Sequence, residues 1–176
     1  MITPDAALRN WSRAYAEQSV ADWQAYDALC RAGNGVKHCE KLHLLQMACE
    51  KLCKAHLLKA GKPGFNRKTH KCIAKTLPLI VRDYCGHQGP GYKRIGASGR
   101  PLQLARKLSG RIEALTPSSD EMAPNAEYPW RNTAGDLFTP ANHDFQDLAD
   151  LHTPRGVALI KLLRSAADSI LRYHAR

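Results

Sequence analysis

Leu42-His43-Leu44-Leu45-Gln46-Met47-Ala48-Cys49-Glu50-Lys51-Leu52-Cys53-Lys54-Ala55-His56 is the stretch that decides the fold. Leu42, Leu45, Cys49, Leu52 and His56 recur at helical spacing, and Leu44, Met47 and Ala48 widen the stripe. An apolar face this broad belongs to the central, most buried helix of a bundle. The run extends from about Val36 to Ala60, between two strong breakers, Gly33-Asn34-Gly35 and Gly61-Lys62-Pro63-Gly64.

The same punctuation recurs on either side. Upstream, Thr3-Pro4 reads as a helix start, with Leu8, Trp11, Tyr15, Ala25, Ala28 and Leu29 near helical spacing. Downstream, Thr69 is predicted to cap a third helix through roughly Tyr84, with Ile73, Leu77, Ile80 and Val81 on its inner face. Pro78 inside that span predicts a kink or a restart. A glycine-rich loop, Gly86 to Gly99, carries Lys93 and Arg94. A fourth helix starts at Pro101, with Leu102, Ala105, Leu108, Ile112 and Leu115 regularly spaced. Thr153-Pro154 opens the last helix, with Val157, Ile160, Leu163, Ala167 and Ile170 facing inward.

Residues 116–153 differ. Pro117, Pro124, Pro129 and Pro140 interrupt them, while Tyr128, Trp130, Leu137, Phe138 and Phe145 supply apolar surface. They read as a long irregular insertion packed on the bundle, with Thr139-Pro140 opening a short helix through Asp150. The expected fold is all-α: one domain over residues 1–176, an antiparallel bundle of four to five helices with this proline-rich insertion before the last. The alternative is a mixed fold with strands drawn from Tyr128 to Phe138.

Lys and Arg outnumber Asp and Glu by 26 to 16, a formal net charge of +10. That sign favours polyanions. No apolar run approaches the roughly 18 residues of a bilayer span. Met1-Ile2-Thr3-Pro4-Asp5 shows no basic segment followed by an apolar one, so a cytoplasmic location is expected. In a reducing compartment Cys30, Cys39, Cys49, Cys53, Cys72 and Cys85 are expected as free thiols.

The segment from Leu45 to Leu58, with Gly61 and then Thr69-His70 after it, resembles the HEPN family (higher eukaryotes and prokaryotes nucleotide-binding). The resemblance covers about Leu8 to Tyr84 and, loosely, the last helix. It implies a helical bundle, commonly a homodimer, that binds RNA or a nucleotide, often in toxin–antitoxin or phage-defence systems and beside a nucleotidyltransferase partner. Active members resemble one another in an Arg, a polar residue and a His closely spaced. Arg82, Asp83 and His87 match that pattern, with four residues between Arg82 and His87. Glu50 and Lys54 match a further pair on the second helix.

The implied reaction is metal-independent RNA cleavage by the 2′-hydroxyl, which needs a proton-transfer group and a cation, and no cofactor. A histidine titrates near neutrality and an arginine binds phosphate bidentately. Gly86, Gly89, Pro90 and Gly91, however, are expected to end the third helix near Cys85 and leave His87 on a loop. Glu50 and Lys54 also read as an ordinary i,i+4 ion pair, and Thr69-His70 as a cap and a helix-start histidine. Lys51, Lys59, Arg67, Lys68, Lys71 and Lys75, with Lys93 and Arg94, are the candidate phosphate contacts; a solvated basic face is the plainer reading.

Two groups, His38–Cys39–His43 and Cys49–Cys53–His56, have ligands close enough for a metal, but no Cys-x2-Cys unit supports one, and buried free cysteine is the preferred reading. No phosphate-binding glycine loop or flanked serine nucleophile is present. Three functions follow: a non-catalytic HEPN-like module binding RNA or a nucleotide, a HEPN ribonuclease using Arg82 and His87, and a scaffold whose proline-rich segment docks a partner through Trp130 and Phe138.

Overall fold

A computed structural model describes residues 4–61, 65–87, 100–117 and 123–175, the side chains at 4, 5, 34, 86 and 87 excepted. Thr3, Lys62, Lys93 and Arg94 lie outside that description. The described residues form five α-helices: α1 (Pro4–Arg31), α2 (His38–Lys59), α3 (Ile73–His87), α4 (Arg100–Glu113) and α5 (Pro154–His174). The fold is an all-α helical bundle.

Helix α2 is the central helix, with 13 of its 22 residues buried. Leu45, Leu52, Ile73, Leu77, Leu108, Ile112, Leu159 and Leu163 fill the core around it. Two buried serines fix the direction of α1. Ser12 Oγ donates to the Ala55 carbonyl (2.8 Å) and Ser19 Oγ to the Ala48 carbonyl (2.9 Å), so α1 runs antiparallel to α2. Ser12 against His174 and Asp27 against Arg164 make α5 antiparallel to α1. The helix ends follow the turn chemistry: Gly33 (φ +73°) and Gly61 (φ +63°) adopt left-handed backbone just past α1 and α2. Thr153 Oγ1 accepts from Gly156 N (3.1 Å) and caps α5.

The third helix departs from expectation in three ways. It starts at Ile73, four residues after Thr69, whose hydroxyl instead accepts from Lys71 N in a local turn. It runs unbroken through Pro78. Proline strips the carbonyl four residues back of its partner, here Ala74, and Ser109 Oγ of α4 supplies the missing bond at 3.1 Å. It also continues to His87, beyond the expected end at Cys85. On α5, Val157 is 43 % exposed, not inward.

The insertion is held in place by Ala126, Phe145, Leu148 and Leu151, which belong to the core. Its secondary structure is a short antiparallel pair, β1 (Trp130–Arg131) and β2 (Leu137–Phe138), followed by 3₁₀ turns over Pro140–Asn142 and Gln146–His152. The strands fall where the mixed-fold alternative placed them, yet are too short to alter the class. Gly156 is the contact that seats the insertion's end: a Cβ there would lie 2.2 Å from the Asp150 carbonyl oxygen. No described helix is long and apolar enough to cross a membrane.

Candidate functional site

Gln46, Glu50 and Lys54 occupy positions i, i+4 and i+8 of α2, so they stack along one face of the most buried helix. Lys54 Nζ donates to Glu50 Oε1 at 2.7 Å, with both side chains no more than 6 % exposed. The i,i+4 ion pair read from the spacing is present, and it is interior. Gln46 Nε2 donates to Glu50 Oε2 (3.0 Å) and to Thr116 Oγ1 (2.5 Å). His70 Nδ1 lies 3.0 Å from Glu50 Oε2. Burial pushes the Glu50 carboxyl up, but the bonds from Lys54, His70 and Gln46 outweigh it and hold the group below the ordinary glutamate value. An ionised carboxylate only accepts, so the His70 proton sits on Nδ1 and a neutral ring presents Nε2 as an acceptor. His70 is well exposed, making it the surface outlet of an interior charge network.

Around this outlet and along the same end of the bundle lie cations paired with aromatic faces. The Arg67 guanidinium covers the Trp11 ring at 4.2 Å, and Lys59 Nζ covers the Tyr173 ring at 4.1 Å. Trp11 and Tyr173 are 46 % and 52 % exposed. Tyr15 bridges outlet and rim: its ring faces Lys54 Nζ at 5.5 Å and its hydroxyl donates to the Arg67 carbonyl at 3.4 Å.

His174 sits in the same field. Ser12 spends its one proton on Ala55, so His174 Nε2–H donates to Ser12 Oγ (2.8 Å). Burial first, then Lys59, Arg13 and Arg9, lower its pKa below the usual histidine value. Arg13 is answered by Glu17 at 2.8 Å. Arg9, Lys59, Arg67, Lys68, Lys71 and Lys75 form no ion pair among the described residues.

The remaining sequence candidates separate. Arg82 pairs with its neighbour Asp83 at 2.9 Å on an exposed stretch, and Asp83 also faces His56 at 3.7 Å. Arg82 therefore stands beside a groove lined by His56, Lys59, Asp83, Tyr84 and Ser169. The His87 side chain lies outside the described residues, as do Lys93 and Arg94. Lys51 is withdrawn from the phosphate-contact set: it is bonded to Asp22 at 3.0 Å and is mostly buried. Cys49 and Cys53 are buried free thiols, with burial pushing both far above the ordinary value. Trp130, expected as a docking anchor, is 4 % exposed and stacked on Phe138. The exposed apolar groups there are Leu137, Tyr128 and Phe138.

Sequence reading missed Trp11, Tyr173, Arg9 and His174. The signal present was compositional: Arg9 and Trp11 near one terminus, Tyr173-His174 near the other. Only the antiparallel pairing brings them together. No family model, no curated protein and no solved structure matches this chain.

Proposed function

We propose that the chain is a HEPN-like domain that binds RNA or a nucleotide at the bundle end built by Trp11, Arg67, Lys59 and Tyr173. The reading includes a cytoplasmic setting, a homodimer, and a toxin–antitoxin or phage-defence context with a nucleotidyltransferase-type partner. One observation carries the binding reading: two exposed aromatic rings, each with a cation on its face, stand among cations that no described acid neutralises. Exposed rings accept stacked bases at about 1–3 kcal/mol each, and free Lys and Arg track the phosphates.

Fluorescence anisotropy with a labelled single-stranded RNA tests it. Trp11→Ala/Tyr173→Ala is expected to weaken binding at least about tenfold. If four cations contact phosphate, the logarithmic salt slope is roughly −3. Absence of binding at low salt, or binding indifferent to both substitutions, rejects the assignment.

A second reading, metal-independent ribonuclease, is favoured by one observation, the Glu50–His70 pair. A buried carboxylate that orients an imidazole is the arrangement of a general base. In this reading His70 Nε2 takes the 2′-hydroxyl proton as the 2′-oxygen attacks the adjacent phosphorus, and the 5′-oxygen leaves with a proton from water. This reading assigns no step to Arg82 or His87. RNA cleavage that persists in EDTA and disappears in His70→Ala supports it; intact RNA after long incubation removes it and leaves the binding reading untouched.

A further inference from the structure

The opposite end of α2 brings two imidazoles face to face. His38 opens α2, and His152 closes the 3₁₀ turn that precedes α5. They are 114 residues apart in the chain, yet their Nε2 atoms are 3.4 Å apart. Their ring centroids are 5.3 Å apart, with the planes inclined at 46°.

These two distances together are informative. Two imidazole nitrogens on one tetrahedral zinc, each ~2.05 Å from the ion, stand about 3.4 Å apart. With the ion on the axis of each ring, the centroids fall about 5.2 Å apart. A straight N–H···N bond at the same nitrogen separation spreads the centroids to about 5.7 Å, and its length already exceeds the usual range. The observed centroid distance of 5.3 Å lies near the value for a shared ion; a bent N–H···N bond between the rings gives the same spacing, and metal titration separates the two.

The rings are positioned by their surroundings. His38 meets the edge of Phe145 (centroids 6.2 Å, 81°), and Phe145 is buried. Both histidines line a cleft of about 520 Å³ with Asp144 and Lys41. Lys41 opposes a cation there, but its ammonium is tied to the Gly33 carbonyl at 3.0 Å. Asp144 supplies a compensating negative charge, with Oδ2 held by Gln146. No third side chain of ligating type joins the pair among the described residues, so half of a tetrahedral shell is left to water or a small anion.

We propose that His38 and His152 form a binding site for a divalent transition-metal ion of the zinc class. Imidazole ligands suit zinc, nickel and copper ions and disfavour magnesium and calcium. The bound ion links the start of α2 to the end of the insertion, 114 residues away. It is bound by the folded chain only and therefore stabilises it by mass action.

The test uses the full chain carrying Cys30→Ser, which removes the one exposed thiol. After chelator treatment it is titrated with Zn²⁺ by calorimetry and with Co²⁺ by visible absorption. One ion per chain with micromolar affinity is expected, and a Tm raised by a few degrees in excess zinc. His152→Ala and His38→Gln, each checked for native circular dichroism, should weaken binding at least tenfold and abolish the Tm rise. Mg²⁺ should do neither. Absence of binding up to millimolar zinc overturns the proposal. So does binding that survives both variants, or a cobalt spectrum dominated by thiolate charge transfer. RNA binding by the opposite end is unaffected by either result.

Discussion

Replacing Lys54 by methionine isolates the charge at the centre of α2, because the volume is nearly kept while the cation is lost. In the folded chain Glu50 then remains interior, with its partner removed and only Gln46 and His70 still bonded. Breaking a buried pair from one side costs about 3–5 kcal/mol, and the two surviving bonds argue for the lower end, about 3. A surface i,i+4 pair would cost only a few tenths, ~0.3 kcal/mol. The tenfold difference between these figures is what the structure decides through exposures of 6 % and 4 %. For a domain of this size, about 3 kcal/mol lowers Tm by roughly 6–12 °C.

Thermal and urea unfolding of Lys54→Met, Glu50→Gln and the double variant close the cycle. The double variant should recover at least half of the loss, since a neutral amide no longer needs the ammonium. A Lys54→Met loss below about 1 kcal/mol would refute the buried-network reasoning. The pH dependence adds a check. Glu50 is held below its ordinary value in the folded state, so the unfolded state takes up the proton first as pH falls. The stabilisation is complete above the ordinary glutamate range and is lost as pH falls through the depressed folded value. Glu50→Gln should lack this acid-dependent component.

Three further outcomes are expected. Gly156→Ala drives a methyl to within 2.2 Å of the Asp150 carbonyl oxygen and 2.5 Å of the Leu151 Cα, all backbone, so a loss of at least ~2 kcal/mol by urea unfolding is expected. Trp130→Ala removes a buried ring stacked on Phe138 and edge-on to His143, and should cost about 3 kcal/mol; a partner protein that still binds the variant would argue against Trp130 as an anchor. His174 is held below its ordinary pKa by burial and by Lys59, Arg13 and Arg9, so a polyanion on this surface must raise it. RNA affinity should therefore increase as pH falls from neutrality through the histidine range, with proton uptake on binding, and His174→Gln should flatten the profile measured by anisotropy.

Much of the bundle was legible because it rests on local signals. The wide stripe of α2 and the Gly33 and Gly61 terminators act within a few residues. What failed was long-range. Pro78 does not restart the helix, and the sequence could not show why, because the bond that serves the Ala74 carbonyl comes from Ser109, 35 residues away in another helix. Glu50–Lys54 read as an ordinary i,i+4 pair because spacing does not reveal depth; its neighbour Gln46 bonds Thr116, 70 residues away, and both partners of the pair are buried. Lys51 reads as a phosphate contact from sequence because its partner, Asp22, lies in another helix, α1. The rim was invisible for the same reason, since Trp11 and Tyr173 come to one end of the bundle only because α1 and α5 run antiparallel.

That antiparallel arrangement also relates the two proposed binding regions. Residues 12, 55 and 174 share one end of the bundle, while 27, 38, 152 and 164 mark the other. Helix α2 spans the distance between them, about 30 Å over 22 residues. Its interior face carries Gln46, Glu50 and Lys54, a spine whose charges are satisfied within the protein and open to solvent only through His70. Replacing such a spine with hydrophobic residues is often neutral or stabilising, so stability alone gives weak reason for it. Its placement directly behind the cationic rim supplies a different reason: a hydroxyl of a bound RNA approaching His70 meets an acceptor nitrogen whose tautomer and orientation are fixed by Glu50, beside cations that carry no competing acid and are open to the phosphates. If Glu50→Gln/Lys54→Met folds as well as the parent yet loses RNA affinity, the spine serves the surface; if it folds and binds equally well, the spine is a packing solution only.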